Sequence, residues 1–164
     1  MRALSGEYQP SSFDSIREQV TLYEESNGRV GGTLEGRRLI IVTHRGAKTG
    51  KLHKSPLIRI PHDAGYIVVA SYGGAPANPA WYHNLMANPV VDVQDGSLIR
   101  TMRAAEATGD EKDGLWPVCE AIWPDFPEYR SRTARDIPMF VLTPEPAEPS
   151  PDGRAGITVD RRVD

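Results

Sequence analysis

Three strand-like runs, residues 39–44 (LIIVTH), 53–60 and 66–71, follow one another through short turns that each contain glycine. A parallel pairing needs a crossover of a dozen or more residues, and these turns are far shorter. The runs therefore read as antiparallel hairpins. A second hairpin joins 90–94 to 98–108 through Asp95-Gly96, and 137–142 supplies a last strand. Pro56 lacks a donor for a ladder, so it marks an edge, a bulge or a strand start. Helical pieces fall at 12–26, 80–88, about 110–122 and about 125–134. The expected fold is α+β, mainly β with helices packed outside a small antiparallel barrel.

In the first helix Phe13, Ile16, Val20 and Tyr23 repeat at i, i+3, i+7 and i+10, making one narrow apolar stripe. Ser11 or Ser12 suits its cap and Gly28 its stop. The stripe fits a core or a membrane surface. Asn78 reads as the cap of the 80–88 helix, with Pro79 at its first position and Pro89 ending it. Residues 1–34 thus form a helix and linker, 35–144 the domain, and 145–164 a tail. The Pro-rich composition from Thr143 onward reads as disordered. A chain of 164 residues without a signal-peptide h-region is expected to be soluble and cytoplasmic, with peripheral placement at the inner face of a membrane as the variant.

Nineteen Lys and Arg against 22 Asp and Glu give −3, which excludes a general nucleic-acid or membrane polyanion binder. The sum hides an asymmetry. Arg37, Arg38, Arg45, Lys48, Lys51, Lys54 and Arg59 lie in a stretch, 36–62, with no Asp or Glu. A Gly/Lys turn, Gly46 to Lys51, sits inside it. It is not a Walker A loop, because Arg45 and Leu52 stand where Gly and Ser/Thr belong, and G-x-G-x-x-G is absent. Glycines that admit a ligand to backbone N–H groups, beside lysines, favour a phosphate or polycarboxylate seat over a merely solvated face.

Residues 71–84 run from a strand end through Gly73-Gly74 into a helix N-terminus, which suits an anionic or carbonyl-rich ligand and the approach of a flat ring. Trp81 and Tyr82 read first as core. Trp123, Phe126 and Tyr129 at i, i+3 and i+6, with Trp116, either seal the core or line an apolar pocket. His44, His53, His62 and His83 lack metal-ligand spacing, and Cys119 reads as a buried structural thiol. No strong protein-borne catalyst stands out, so an enzyme of this composition would borrow a cofactor's chemistry.

The runs LIIVTHRGAKTGKLHKSPLIRI, YIVVASYGGAPANPAWYHNLMANPVVDVQDG and IWPDFPEYRSRTARDIPMFVLTP, over about residues 35–144, resemble the deazaflavin-dependent nitroreductases of actinobacteria, also described as coenzyme F420-dependent quinone reductases. The resemblance implies a split β-barrel similar to FMN-binding oxidoreductases, with reduced F420 as hydride donor to a quinone, nitroaromatic or activated alkene. An FMN-dependent reductase and a non-catalytic F420 carrier are the alternatives. Ala47, Lys48, Thr49 and Gly50 would hold the cofactor's phosphate and charged tail, with Lys51 beside them. Lys54 and Pro56 would lie along the groove. Val69, Ala70, Ser71, Tyr72, Gly73, Gly74 and Ala75 would follow the ring, and Ala77, Asn78, Trp81 and Asn84 would close the site. Trp123, Phe126 and Tyr129 match the substrate-pocket segment, and Ser71, Tyr72 and Tyr129 are the proton-donor candidates. Some relatives carry Tyr where Trp123 and Phe126 stand and Arg where Ala47 stands. Those differences count against nitroimidazole-type activity, leave quinone reduction, and leave one phosphate contact either missing or supplied by Lys51 or Arg45.

Overall fold

A computed structural model describes residues 4–146. Its elements are α1 (Asp14–Ser26), β1 (Thr33–Leu34), β2 (Arg37–Arg45), β3 (Leu52–Ile58), β4 (Ile60–His62), β5 (Gly65–Val69), α2 (Ala80–Ala87), β6 (Val90–Asp95), β7 (Leu98–Ala107), α3 (Gly109–Ile122), α4 (Phe126–Ser131) and β8 (Met139–Pro144). Every strand pairing is antiparallel, in the order β1-β2-β6-β7-β8-β5-β4, with β3 against β2.

The single run expected over 53–60 is two strands. β3 pairs with β2 from Leu39↔Ile58 to Arg45↔Leu52, and β4 pairs with β5. Between them the Arg59 N–H still donates to Arg38 O at 2.9 Å. The change of partner at Arg59 brings β5 round towards β2 and curls the sheet into a split barrel. Among the named strands β3 pairs with β2 alone, and on its outer edge the described residues add a bridge from Tyr8 to Leu52, so Pro56 occupies an edge.

Ile40, Val42, Tyr66, Val68, Val91, Val93, Met102, Phe140 and Leu142 fill the barrel, with Trp81 and Leu85 of α2. The alternate residues are also covered. Leu39 and Ile41 face Val20 and Tyr23 of α1, and Ile67 and Met139 face Leu115, Trp116 and Cys119 of α3. Burial on both faces explains why 39–42 and 66–70 are continuously apolar instead of alternating. Tyr23 pins α1 through its hydroxyl, which donates to Leu39 O and accepts from Gly96 N–H, both at 2.9 Å. Phe13 leaves the stripe: it precedes the helix and is 63% exposed.

Several boundaries shift for local reasons. The third strand stops at Val69 rather than 71, because Ala70 N–H donates to Pro138 O and Ser71 starts a turn. Asn78 does not cap α2; Pro79 holds that position, and Asn78 Oδ1 accepts from Arg135. Thr143 and Pro144 belong to β8. Glu145 is tied down by its N–H to Thr101 O and its carboxylate to Arg103. The rest of the expected disordered tail, 147–164, lies outside the described residues. Among the described residues no helix is long and apolar enough to cross a membrane.

Asp95, at the tip of the β6–β7 hairpin, secures the change of partner. Its Oδ2 accepts from Arg59 Nε at 2.8 Å and Tyr66 Oη at 2.5 Å, and its Oδ1 from Arg38 Nη2 at 3.2 Å. Burial works against its charge. Bonds from Tyr66 and Arg59, with the cations Arg59 and Arg38, outweigh burial and hold the carboxyl below its ordinary range. A lowered folded value stabilises the fold above the unfolded carboxyl's pKa of about 4, and this is lost as pH falls through the lowered value. Asp95→Asn is expected to cost about 1–3 kcal/mol at pH 7, with the gap to the unmodified chain narrowing below about pH 4. Urea unfolding at pH 7 and pH 3 measures both.

Candidate functional site

A cleft of about 920 Å³ opens along the free edge of β3. Its walls carry Ala47, Lys48 and Thr49 of the β2–β3 turn, Lys54 and Pro56 of β3, and Val69, Ser71, Tyr72 and Gly73 after β5. Trp81 and Asn84 come from α2, and Trp123, Phe126 and Tyr129 from the α3–α4 corner. Three segments separated in sequence thus meet in one cavity.

The other sequence candidates lie off the wall. Lys51 turns to Glu7, with Nζ 3.4 Å from Oε2, and Gly50 O accepts from Arg45 Nη1 at 2.8 Å. Ala70 is buried in the barrel core. Gly74 is buried under α4, where an added Cβ would lie 2.7 Å from Tyr129 O. Ala75 and Asn78 face Arg135, and Ala77 does not line the cavity.

Residues 72–74 form a left-handed turn, with φ of +47° at Tyr72, +62° at Gly73 and +80° at Gly74. Left-handed backbone costs a tyrosine free energy that glycine is spared, so Tyr72 needs outside support. Arg135 supplies it. Its guanidinium donates to Ala75 O at 2.8 Å, Ala70 O at 3.1 Å, Ser71 O at 2.7 Å and Asn78 Oδ1 at 2.6 Å. Desolvation lowers the Arg135 pKa. Arg132 adds a bond to Gly73 O at 3.3 Å. No spacing rule flags an arginine that acts sixty residues away.

The basic stretch is less positive than its composition. Arg38 and Arg59 hold Asp95, Lys51 holds Glu7, and Lys54 Nζ is 2.6 Å from Glu24 Oε2 and over the Tyr8 ring. Among the described residues Arg37 and Arg45 donate to carbonyls, and Arg37 also lies over the Trp123 ring. Lys48, on the cleft wall, has no ion pair among the described residues. In the same turn, Ala47 N–H is held by Asn84 Oδ1, whereas the Lys48 and Thr49 N–H groups have no acceptor among the described residues. Two open amides beside an ammonium suit an anionic group.

The far end is apolar. Phe126 meets Trp116 and Tyr129 edge-on, and Trp123 Nε1–H donates to Tyr129 Oη at 3.1 Å. Both readings of these aromatics hold, since Trp123 and Phe126 belong to the core and also line the cleft. Tyr129 accepts from Trp123 and so keeps its own proton to donate. Tyr72 is 59% exposed at the rim. Burial pushes the Cys119 thiol up to about 12, which leaves it inert. Unanticipated wall residues are His44, His53, Ser55 and His83, together with Gln9 to Phe13. The last segment arrives because Gln9 N–H and Leu52 N–H exchange bonds with Leu52 O and Glu7 O, both at 2.8 Å.

The model of the F420H(2)-dependent quinone reductase family matches residues 15–144, which includes every wall segment except the N-terminal strip. The chain belongs to that family. An F420H(2)-dependent quinone reductase of Mycobacterium tuberculosis is 35% identical over 132 residues, 78% of this chain and 89% of the relative. The solved structure of an F420-H2 dependent reductase, FDR-A, superposes with a TM-score of 0.60 at 39% identity. It covers 64% of this chain and 93% of that one. A structure described as a domain-swapped dimer superposes at 0.63 and 36% identity, covering 81% of this chain and all of that one. The split-barrel fold of F420- and FMN-binding oxidoreductases is thereby established for this chain. Its cleft also fits the family's cofactor: Gly73 has open space on its Cα and the Lys48–Thr49 turn has unfilled donors.

Arg135→Lys keeps the charge but loses the planar fork. Unpairing those carbonyls is expected to speed amide exchange over residues 70–78 by about tenfold, with α1 unchanged. Hydrogen-exchange mass spectrometry checks this.

Proposed function

We propose that this chain binds reduced coenzyme F420 in the cleft and passes its hydride to a quinone-type acceptor. The observation that carries the reading is the cleft's polarity. One end has open amides and the Lys48 ammonium, and the other is walled by Trp123, Phe126 and Tyr129. An F420 cofactor carries a phosphate and a polyglutamate tail on a flat ring, and a quinone is flat and apolar. Lys48 and the Lys48 and Thr49 amides would hold the phosphate. Val69, at the end of β5, and Gly73, on the loop held by Arg135 and Arg132, would border the ring. The aromatic wall would exclude water, and the Tyr129 hydroxyl, oriented by Trp123, would deliver the accompanying proton. F420, when bound in reduced form, supplies the hydride.

Mixing the protein with reduced F420 and a menaquinone analogue is expected to restore the absorbance of oxidised F420. No turnover with several quinone and nitroaromatic acceptors, despite tight F420 binding, would leave a carrier. Tighter FMN than F420 binding would replace the cofactor.

The charge pairing separates two lysines that sequence treats alike. Lys48→Ala is expected to raise the F420 Kd by about tenfold, the loss of one charge-assisted contact, and Lys51→Ala by less than about twofold. Fluorescence titration of F420 at low salt measures both.

A further inference from the structure

A chain of hydrogen bonds joins the β2–β3 turn to the edge of β3, and its direction is fixed at one end. The Ala47 N–H can only donate, and it donates to Asn84 Oδ1 at 2.9 Å. That orients the Asn84 amide, because a flipped amide would set N–H against N–H. Asn84 Nδ2 then donates to His44 Nδ1 at 3.0 Å. His44 and Asn84 are both buried, and burial, with a smaller effect of the stacked His53, pushes the His44 pKa down to about 3. The imidazole is neutral above that value. A neutral imidazole that accepts at Nδ1 carries its proton on Nε2. Nε2 is 2.9 Å from Ser55 Oγ and donates to it.

The chain ends at Ser55, whose own hydroxyl proton has no acceptor among the described residues. Ser55 stands between Lys54 and Pro56 on the unpaired edge of β3 and lines the cleft. We infer that Ser55 is a ligand-binding residue, presenting a hydroxyl donor to a carbonyl-type oxygen in the cleft and held in that polarity by Ala47, Asn84 and His44. His44 and Asn84 are positioning residues for this contact. The same chain couples the two ends of the site, since the turn that carries Lys48 sets the hydrogen-bond direction at Ser55.

The ligand side rests on the F420 reading above, and a ring carbonyl of the cofactor and a carbonyl of the acceptor share the required chemistry. Ser55→Ala is expected to raise the Kd of oxidised F420 about three- to tenfold if the cofactor makes the contact. If the acceptor makes it, the Kd stays constant and the acceptor KM rises by the same factor. Ser55→Thr restores either value. No change in both constants, or a loss that Ser55→Thr does not restore, overturns the inference. The polarity is read separately on the cofactor-free protein. Long-range ¹H–¹⁵N spectra are expected to show His44 as the Nε2–H tautomer from pH 8 to pH 5, and an Nδ1–H or doubly protonated ring overturns it. A chain that binds no F420 defeats the cofactor reading, while the tautomer still tests the donor.

Discussion

The strand from Leu52 to His62 changes partner at Arg59, and the architecture of the site follows from that change. A strand that stayed with β2 throughout would leave the sheet open. A strand that paired on both sides would have no free edge. By pairing first with β2 and then with β5, the chain curls the sheet and leaves the outer edge of β3 beyond the Leu52 bridge open to the cleft. Asp95 holds the junction from the hairpin opposite, through Arg59, Arg38 and Tyr66. Its network is stable because two cations and a phenol meet one carboxylate in a half-dry setting.

Both walls of the cleft depend on polar side chains spent on the protein's own backbone. Arg135 gathers the carbonyls of the 70–78 loop and supports a left-handed Tyr72. Asn84 holds the turn at Ala47. Neither device offers chemistry of its own. Each removes backbone groups from the list of available ligand contacts and leaves a chosen few, the Lys48 and Thr49 amides and the Ser55 hydroxyl, facing the cavity. Preorganised donors of this kind lose little entropy on binding.

The three wall segments were legible because each of the motifs that carry the family resemblance contributes residues to the cavity wall, though not all of its residues do. The hairpin order was legible from turn length. The electrostatics were misjudged in degree: counting charge along 36–62 gave seven cations, but Glu7, Glu24 and Asp95 reach four of them from elsewhere in the chain. Gly74 illustrates the same limit. The motif reads as room for a flat ring, and at Gly74 the missing Cβ makes room for Tyr129 O. The roles of Arg135, His44 and Ser55 were not legible, because hydrogen bonds between side chains or to carbonyls elsewhere in the chain impose no spacing pattern.

The sequence by itself determined the strand and helix periods, the antiparallel pairing and the family. These depend on neighbours within a few residues or on whole motifs. Only the tertiary structure decided which cations stay unpaired, which backbone donors stay open and which way the hydroxyl of Ser55 points. Charge compensation and hydrogen-bond direction are set largely by partners 30 to 57 residues apart, from Lys54–Glu24 to Arg38–Asp95, and those partners meet only once the barrel has curled.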